Sequence, residues 1–202
     1  GCSAPTSRGA RAAGRVRSMS RPQGAAADCG GPDSRRLFFA LWPDARLREQ
    51  VMRTARPIAA LAPGRLQQPQ QWHVTLVFLG AVPATRLPVA HEAAADVRAE
   101  PVELTLDTVE YWRRAGVLCL TAQRMPPALE RLVTALRGEL GQRGFVTEQR
   151  AYRPHLTLAR RVRPPPEFPA PDPLIWPATV VSAAHTSPRR SACAPTAAGK
   201  RG

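Results

Sequence analysis

Acidic residues are scarce in this chain of 202 residues: 15 aspartates and glutamates stand against 29 lysines and arginines, a formal net charge of +14. That balance disfavours a cationic partner and suits an anionic one. Much of the surplus sits at the ends. Residues 1–36 hold seven arginines against Asp28 and Asp33, and residues 187–202 hold Arg189, Arg190, Lys200 and Arg201 with no acid. Cysteine is equally sparse, with Cys2, Cys29, Cys119 and Cys193 forming no Cys-x-x-Cys pair. Neither a zinc centre nor a disulfide framework is therefore expected, and a reducing, cytoplasmic setting fits. No apolar run approaches the roughly 18–20 residues of a membrane-spanning helix, and no secretory-type apolar segment stands near residue 1, so no membrane association is expected. Aromatic residues make up only 5% of the chain and histidine occurs four times, at 73, 91, 155 and 185.

What the chain does have is apolar content, 44% hydrophobic, enough for one packed domain. Residues 36–42 read as a strand ended by Pro43, with Asp44 capping a helix through Leu47, Val51 and Met52. Residues 72–79 read as a strand closed by Gly80, and residues 84–99 as a helix. The runs 102–106 and 117–120, separated by Arg113 to Gly116, suggest an antiparallel hairpin. Pro126 and Pro127 open a helix with apolar positions Leu129, Leu132, Val133, Leu136 and Leu140, ended by Gly141 and Gly144. A strand over 155–162, a proline-rich loop from Pro164 to Pro173 and a last strand within 175–181 follow. Three segments result: a basic, disordered extension over 1–34, whose composition overlaps with transit peptides, a folded domain over 35–182, and an unstructured tail over 183–202.

Two strings stand out, His73-Val74-Thr75-Leu76 and His155-Leu156-Thr157-Leu158. On a strand, alternation sends each His and its Thr to one face and the aliphatic residues to the other. A lone histidine on a strand reads as an ordinary packing residue. A doubled pattern, in a chain with so few histidines, reads as two related lobes whose motifs meet across a cleft. Imidazole titrates near neutral pH, so one ring of such a pair can accept a proton while the other donates one. The hydroxyls of Thr75 and Thr157 can donate to a phosphate oxygen, and Arg160, with Arg153 as a lesser candidate, can neutralise it. Strand parity favours residue 159 over 160 on the His155 face, so Arg160 needs a bulge or a twist to join the site. His91 and His185 lack such partners and read as structural. Phe38 and Phe39 read first as core, with base stacking the alternative role.

These residues, with Arg36-Leu37-Phe38-Phe39-Ala40, Phe78-Leu79-Gly80 and the octapeptide Arg153 to Arg160, closely resemble the two-histidine phosphoesterase superfamily and, within it, the RNA 2′,3′-cyclic phosphodiesterases, also known as 2′-5′ RNA ligases. The resemblance implies a bilobal α+β fold with two antiparallel sheets and outer helices around a central cleft. It implies hydrolysis of an RNA or nucleoside 2′,3′-cyclic phosphodiester to the 2′-phosphate, with reversible 2′-5′ ligation in some members and no cofactor or metal. His73 would be the general acid and His155 the general base, roles that the residues themselves leave interchangeable. Thr75, Thr157 and Arg160 would bind the phosphate. The partners implied are RNA ends or nucleotides bearing the cyclic phosphate, with the chain acting as a monomer. Beyond Trp176-Pro177, Ser182 to Gly202 departs from the family pattern of two closing strands. The competing readings are a non-catalytic RNA-binding module and a variant inactivated by that altered C-terminus.

Overall fold

The computed structural model of the protein describes residues 33–61, 64–163, 168, 170–178 and 182–186. The expected extension up to residue 32, most of the proline-rich loop and the tail from 187 lie outside them. The first strand, β1 (Ser34–Leu41), leads through Pro43 into helix α1 (Ala45–Ala60). Asp44 caps that helix as expected, its Oδ1 accepting the Leu47 amide at 2.7 Å. Leu47, Val51, Ala55 and Ile58 form the buried stripe, whereas Met52 faces outward.

A two-residue strand, β2 (Arg65–Leu66), and a short turn of 3-10 helix precede the first motif strand, β3 (Val74–Pro83). Gly80 does not close β3. It sits within the strand at φ +71°, opposite Leu37, where the pairing with β1 slips by a residue. A left-handed glycine at a bulge bends a strand without ending it, which is why a turn signal misleads here. The helix expected over 84–99 is shorter, α2 (Leu87–Ala95), after one 3-10 turn.

The expected hairpin pairs differently. Strand β4 (Val102–Leu106) runs antiparallel not to the 117 region but to β8 (Leu174–Ala178), with Leu104 opposite Trp176 in a separate two-stranded sheet. The partner of β6 (Val117–Thr121) is β5 (Thr108–Trp112), a strand that the sequence reading passed over. Asp107 alone separates β4 from β5; its carboxylate accepts the Gln123 amide and its own amide bonds to the Thr121 carbonyl, so the chain switches sheets at one residue.

Helix α3 (Pro127–Gln142) buries all five of its expected apolar positions. It ends where the two glycines suggested. Gly144, at φ +75°, donates to the Gly141 carbonyl and Phe145 to the Leu140 carbonyl, the paired bonds of a Schellman cap. The second motif strand, β7 (His155–Arg160), follows.

The main sheet runs β5-β6-β7-β3-β1-β9, with β2 also on β7. Its last member, β9 (Ser182–Thr186), pairs with β1, so the folded region continues past the boundary expected at 182. An edge strand as apolar as β1 gains from being covered, which accounts for the extra pairing. The two motif strands meet through one ladder pair, Val74 with Leu156, and the rest of that edge of β7 belongs to β2. Val74, Leu156 and their aliphatic neighbours Leu76 and Leu158 are buried in the single core, with α1 packed near β7 and β8 and α3 near β3 and β4. Each such buried side chain contributes on the order of 1.5–3 kcal/mol. The His/Thr side of the two strands is left for chemistry.

Candidate active site

The antiparallel pairing of Val74 with Leu156 is the centre of the site. It sets His73 beside Thr157 and Thr75 beside His155, so the two motifs are related by an approximate twofold axis through that pair. All four side chains are half-buried, on the face opposite the core aliphatics. Each ring is held in the same way. The His73 Nδ1 lies 2.7 Å from the Gln71 carbonyl oxygen and the His155 Nδ1 lies 2.9 Å from the Arg153 carbonyl oxygen. A carbonyl only accepts, so each Nδ1 carries the hydrogen and each Nε2 is left for a ligand.

Aromatic rings hold the imidazoles in place. His73 stands between Phe38 and Trp42, at centroid separations of 4.9 and 4.8 Å, and His155 lies 4.5 Å from Trp112. The apolar pair within β1 thus divides its roles: Phe39 is core and Phe38 belongs to the site. Both histidines are pushed below the ordinary imidazole pKa, first by burial. The Gln71 and Arg153 carbonyls oppose the shift. His155 and Arg160 add to it at His73, while Arg150, Arg160 and Arg153 add to it at His155.

Arg160 does reach this face. Leu118 pairs with Ala159 but Cys119 pairs with Thr157, leaving Leu158 as the extra residue of a bulge. Leu158 and Ala159 are consequently both buried, and Arg160 emerges on the His155 side. The cleft, about 470 Å³, is lined by Thr75, Trp112, His155, Thr157 and Arg160 among others. His73 stands just outside that lining, against its two aromatic neighbours.

Arg153 is committed elsewhere. Its guanidinium pairs with Glu110 at 2.7 Å and lies over the Trp112 ring, 5.9 Å from its centroid. The other oxygen of that carboxylate accepts the Trp112 Nε1 at 2.8 Å, and the first also accepts the Thr121 hydroxyl at 3.2 Å. Glu110 therefore ties together the ring beside His155 and the residue whose carbonyl fixes His155. Sequence reasoning missed Glu110, Trp112 and Trp42; the available signal was the alternation of Thr108, Glu110 and Trp112 on one face of a short strand. Beneath Thr157, Cys119 is fully buried, its Sγ 3.8 Å from the Thr157 hydroxyl, with burial pushing the thiol up to about 11. That thiol stays protonated and unreactive. His91 lies on α2, exposed and away from the cleft, and His185 in β9 has its backbone opposite Leu37.

Two His-x-Thr units share one face, each with Nε2 available and with Arg160 on the same side, an arrangement able to bind an anion and exchange protons with it. Known proteins are similar to this chain in sequence and fold. A family model described as the 2′-5′ RNA ligase superfamily matches residues 43–185. The RNA 2′,3′-cyclic phosphodiesterase of Escherichia coli (strain K12) is 32% identical over 141 residues, covering 67% of this chain and 80% of the relative. The crystal structure of E. coli LigT complexed with 3′-AMP matches with a TM-score of 0.70 at 29% identity, covering 78% of this chain and 91% of that one. The crystal structure of TT0787 from Thermus thermophilus matches with a TM-score of 0.62 at 26% identity, over 73% of this chain and 86% of the other. By the span of the family match and the agreement of relatives and fold, the chain belongs to the 2′-5′ RNA ligase superfamily.

Proposed function

We propose that the chain hydrolyses a 2′,3′-cyclic phosphodiester at the end of RNA or on a nucleoside, giving the 2′-phosphate, with His73 and His155 as its acid–base pair. The observation that carries this reading is the mirrored seating of the two rings about the Val74–Leu156 pair, each with Nδ1 tied to the carbonyl two residues earlier. The relatives named RNA 2′,3′-cyclic phosphodiesterase support the substrate and the reaction.

In the reaction, the neutral Nε2 of one imidazole takes a proton from water as its oxygen attacks phosphorus. The P–O3′ bond breaks, and the protonated Nε2 of the other imidazole delivers its hydrogen to the departing oxygen. One proton is taken and one is returned, so the free enzyme is recovered after a proton exchange between the rings and solvent. The family resemblance gives His155 as the base and His73 as the acid; burial and neighbouring cations lower the pKa of both rings. Thr75 and Thr157 donate to the non-bridging oxygens, and Arg160 offsets the charge that develops there. The proposed mechanism draws every group from one chain, and the acting unit is proposed to be a monomer.

The test is turnover of an RNA oligonucleotide ending in 2′,3′-cyclic phosphate, in the presence of a chelator. Product appears as the 2′-phosphate, and His73→Ala and His155→Ala each lower kcat by at least ~100-fold, within the range of general acid–base catalysis, with unchanged circular dichroism. Full activity in both variants contradicts the mechanism. RNA binding that survives with no turnover in the wild-type chain supports the non-catalytic reading instead.

A further inference from the structure

The cleft does not end at the His and Thr side chains. Its lining also includes Tyr152, Arg137 on α3, and Glu148 and Arg150 in the segment before β7. A volume of about 470 Å³ exceeds the needs of a single phosphate and falls in the range of small-molecule sites. Tyr152 ties this part of the lining to β3: its hydroxyl donates to the Thr75 carbonyl at 3.0 Å.

Arg137 is the unusual member. Its side chain is half-buried, its Nε is covered without a hydrogen-bond partner, and among the described residues no carboxylate pairs with it. Arg150, by contrast, has the Glu148 carboxylate at 2.7 Å, so part of its charge is already answered. A guanidinium partly withdrawn from water and given no anion of its own is costly to keep in a folded chain. Its placement in the wall of an anion-binding cleft accounts for that cost if a second anion arrives with the substrate.

We propose that Arg137, assisted by Arg150, forms a second phosphate subsite, one that receives the phosphate on the 5′ oxygen of the terminal nucleoside while the cyclic phosphate lies at the two histidines. The inference rests on the proposed function and deepens it. In an RNA ending in a 2′,3′-cyclic phosphate, the nearest other anion is the phosphodiester on the 5′ side of the same ribose. A cationic group farther along the same cleft matches that arrangement, and the planar guanidinium offers two parallel donors to a phosphate. A cyclic nucleoside without a 5′-phosphate has nothing to place there. The subsite therefore distinguishes an RNA end from a bare cyclic nucleoside.

The test compares kcat/KM for adenosine 2′,3′-cyclic phosphate, its 5′-phosphorylated form and a trinucleotide ending in the same cyclic phosphate. In the wild-type protein the two substrates carrying the 5′-side phosphate are favoured by about tenfold or more, the worth of a charge-assisted hydrogen bond. Arg137→Gln loses this preference and keeps its rate on the bare nucleoside, Arg150→Gln loses part of it, and Arg137→Lys retains part of it. The proposal is overturned if the wild type shows no preference, if Arg137→Gln keeps it, or if Arg137→Gln weakens all three substrates alike. A gain for the 5′-phosphorylated nucleoside that the trinucleotide does not share overturns the assignment to RNA ends. Should Arg137→Gln not fold, the wild-type preference and Arg137→Lys still decide. Absence of turnover with all three substrates speaks against the functional reading rather than the subsite. In that case calorimetry with adenosine 2′-phosphate and adenosine 2′,5′-bisphosphate decides: tighter binding of the bisphosphate, lost in Arg137→Gln, supports the subsite, and equal binding overturns it.

Discussion

At the scale of single residues, the chemistry depends on how two imidazoles are protonated when substrate arrives. In the proposed mechanism the productive state has a neutral His155 and a charged His73. As pH rises, activity grows while His155 loses its proton and then declines as His73 loses its own. Burial and neighbouring arginines hold both groups below the ordinary value of about 6.5, so both limbs of the kcat/KM profile move to the acid side. The profile is predicted to peak below about pH 6.5. Once a phosphate lies between the rings its negative charge favours their cations, so the kcat profile is predicted to lie at higher pH than that of kcat/KM. A kcat/KM maximum above pH 7 contradicts this. The His and Thr residues were legible in the sequence because a doubled spacing is a local, countable pattern. Trp112, Trp42 and Glu110 were not, because what makes them part of the site is proximity across strands: Trp112 reaches His155 through the pairing of β5 with β6 and of β6 with β7.

At the scale of elements, the site is kept in register by one ladder pair and one bulge. Leu156 is fully buried at the pair that joins the two halves, and Leu156→Ala is predicted to cost roughly 2–5 kcal/mol, as for other buried leucines. Chemical denaturation measures it, and a change under about 1 kcal/mol, below the range for such truncations, would mean that this junction does not hold the halves together. The bulge at Leu158 shows a limit of sequence reading, since strand parity alone argued against Arg160 and one extra residue reverses that parity. Helix α3 was legible almost to its ends because its apolar stripe and terminal glycines speak for the helix by themselves. Strand β5 was not. All five of its residues are half-buried, and an apolar face of only Val109 and Tyr111 is too short to mark a strand. The true partner of β4 lies some 70 residues on, beyond anything a local hairpin signal reports.

At the scale of the whole molecule, a basic chain with charge concentrated toward its ends invites the idea that the ends do the work. The proposed chemistry lies in the described core instead. Removing residues 1–32 and 187–202 is predicted to leave kcat/KM for a cyclic nucleoside within about twofold while weakening the salt-sensitive retention of RNA. A tenfold loss of turnover would assign those segments to the site. Stopping the chain at residue 181 removes β9 and uncovers the edge of β1, and is predicted to lower the melting temperature. In the proposed mechanism two halves of one chain bring two imidazoles to a single phosphate. The most direct measurement is an NMR titration with adenosine 2′-phosphate that follows the ring resonances of His73 and His155 across pH. Both rings are predicted to respond with the same dissociation constant, and both pKa values to rise on saturation; a response confined to one ring contradicts the claim.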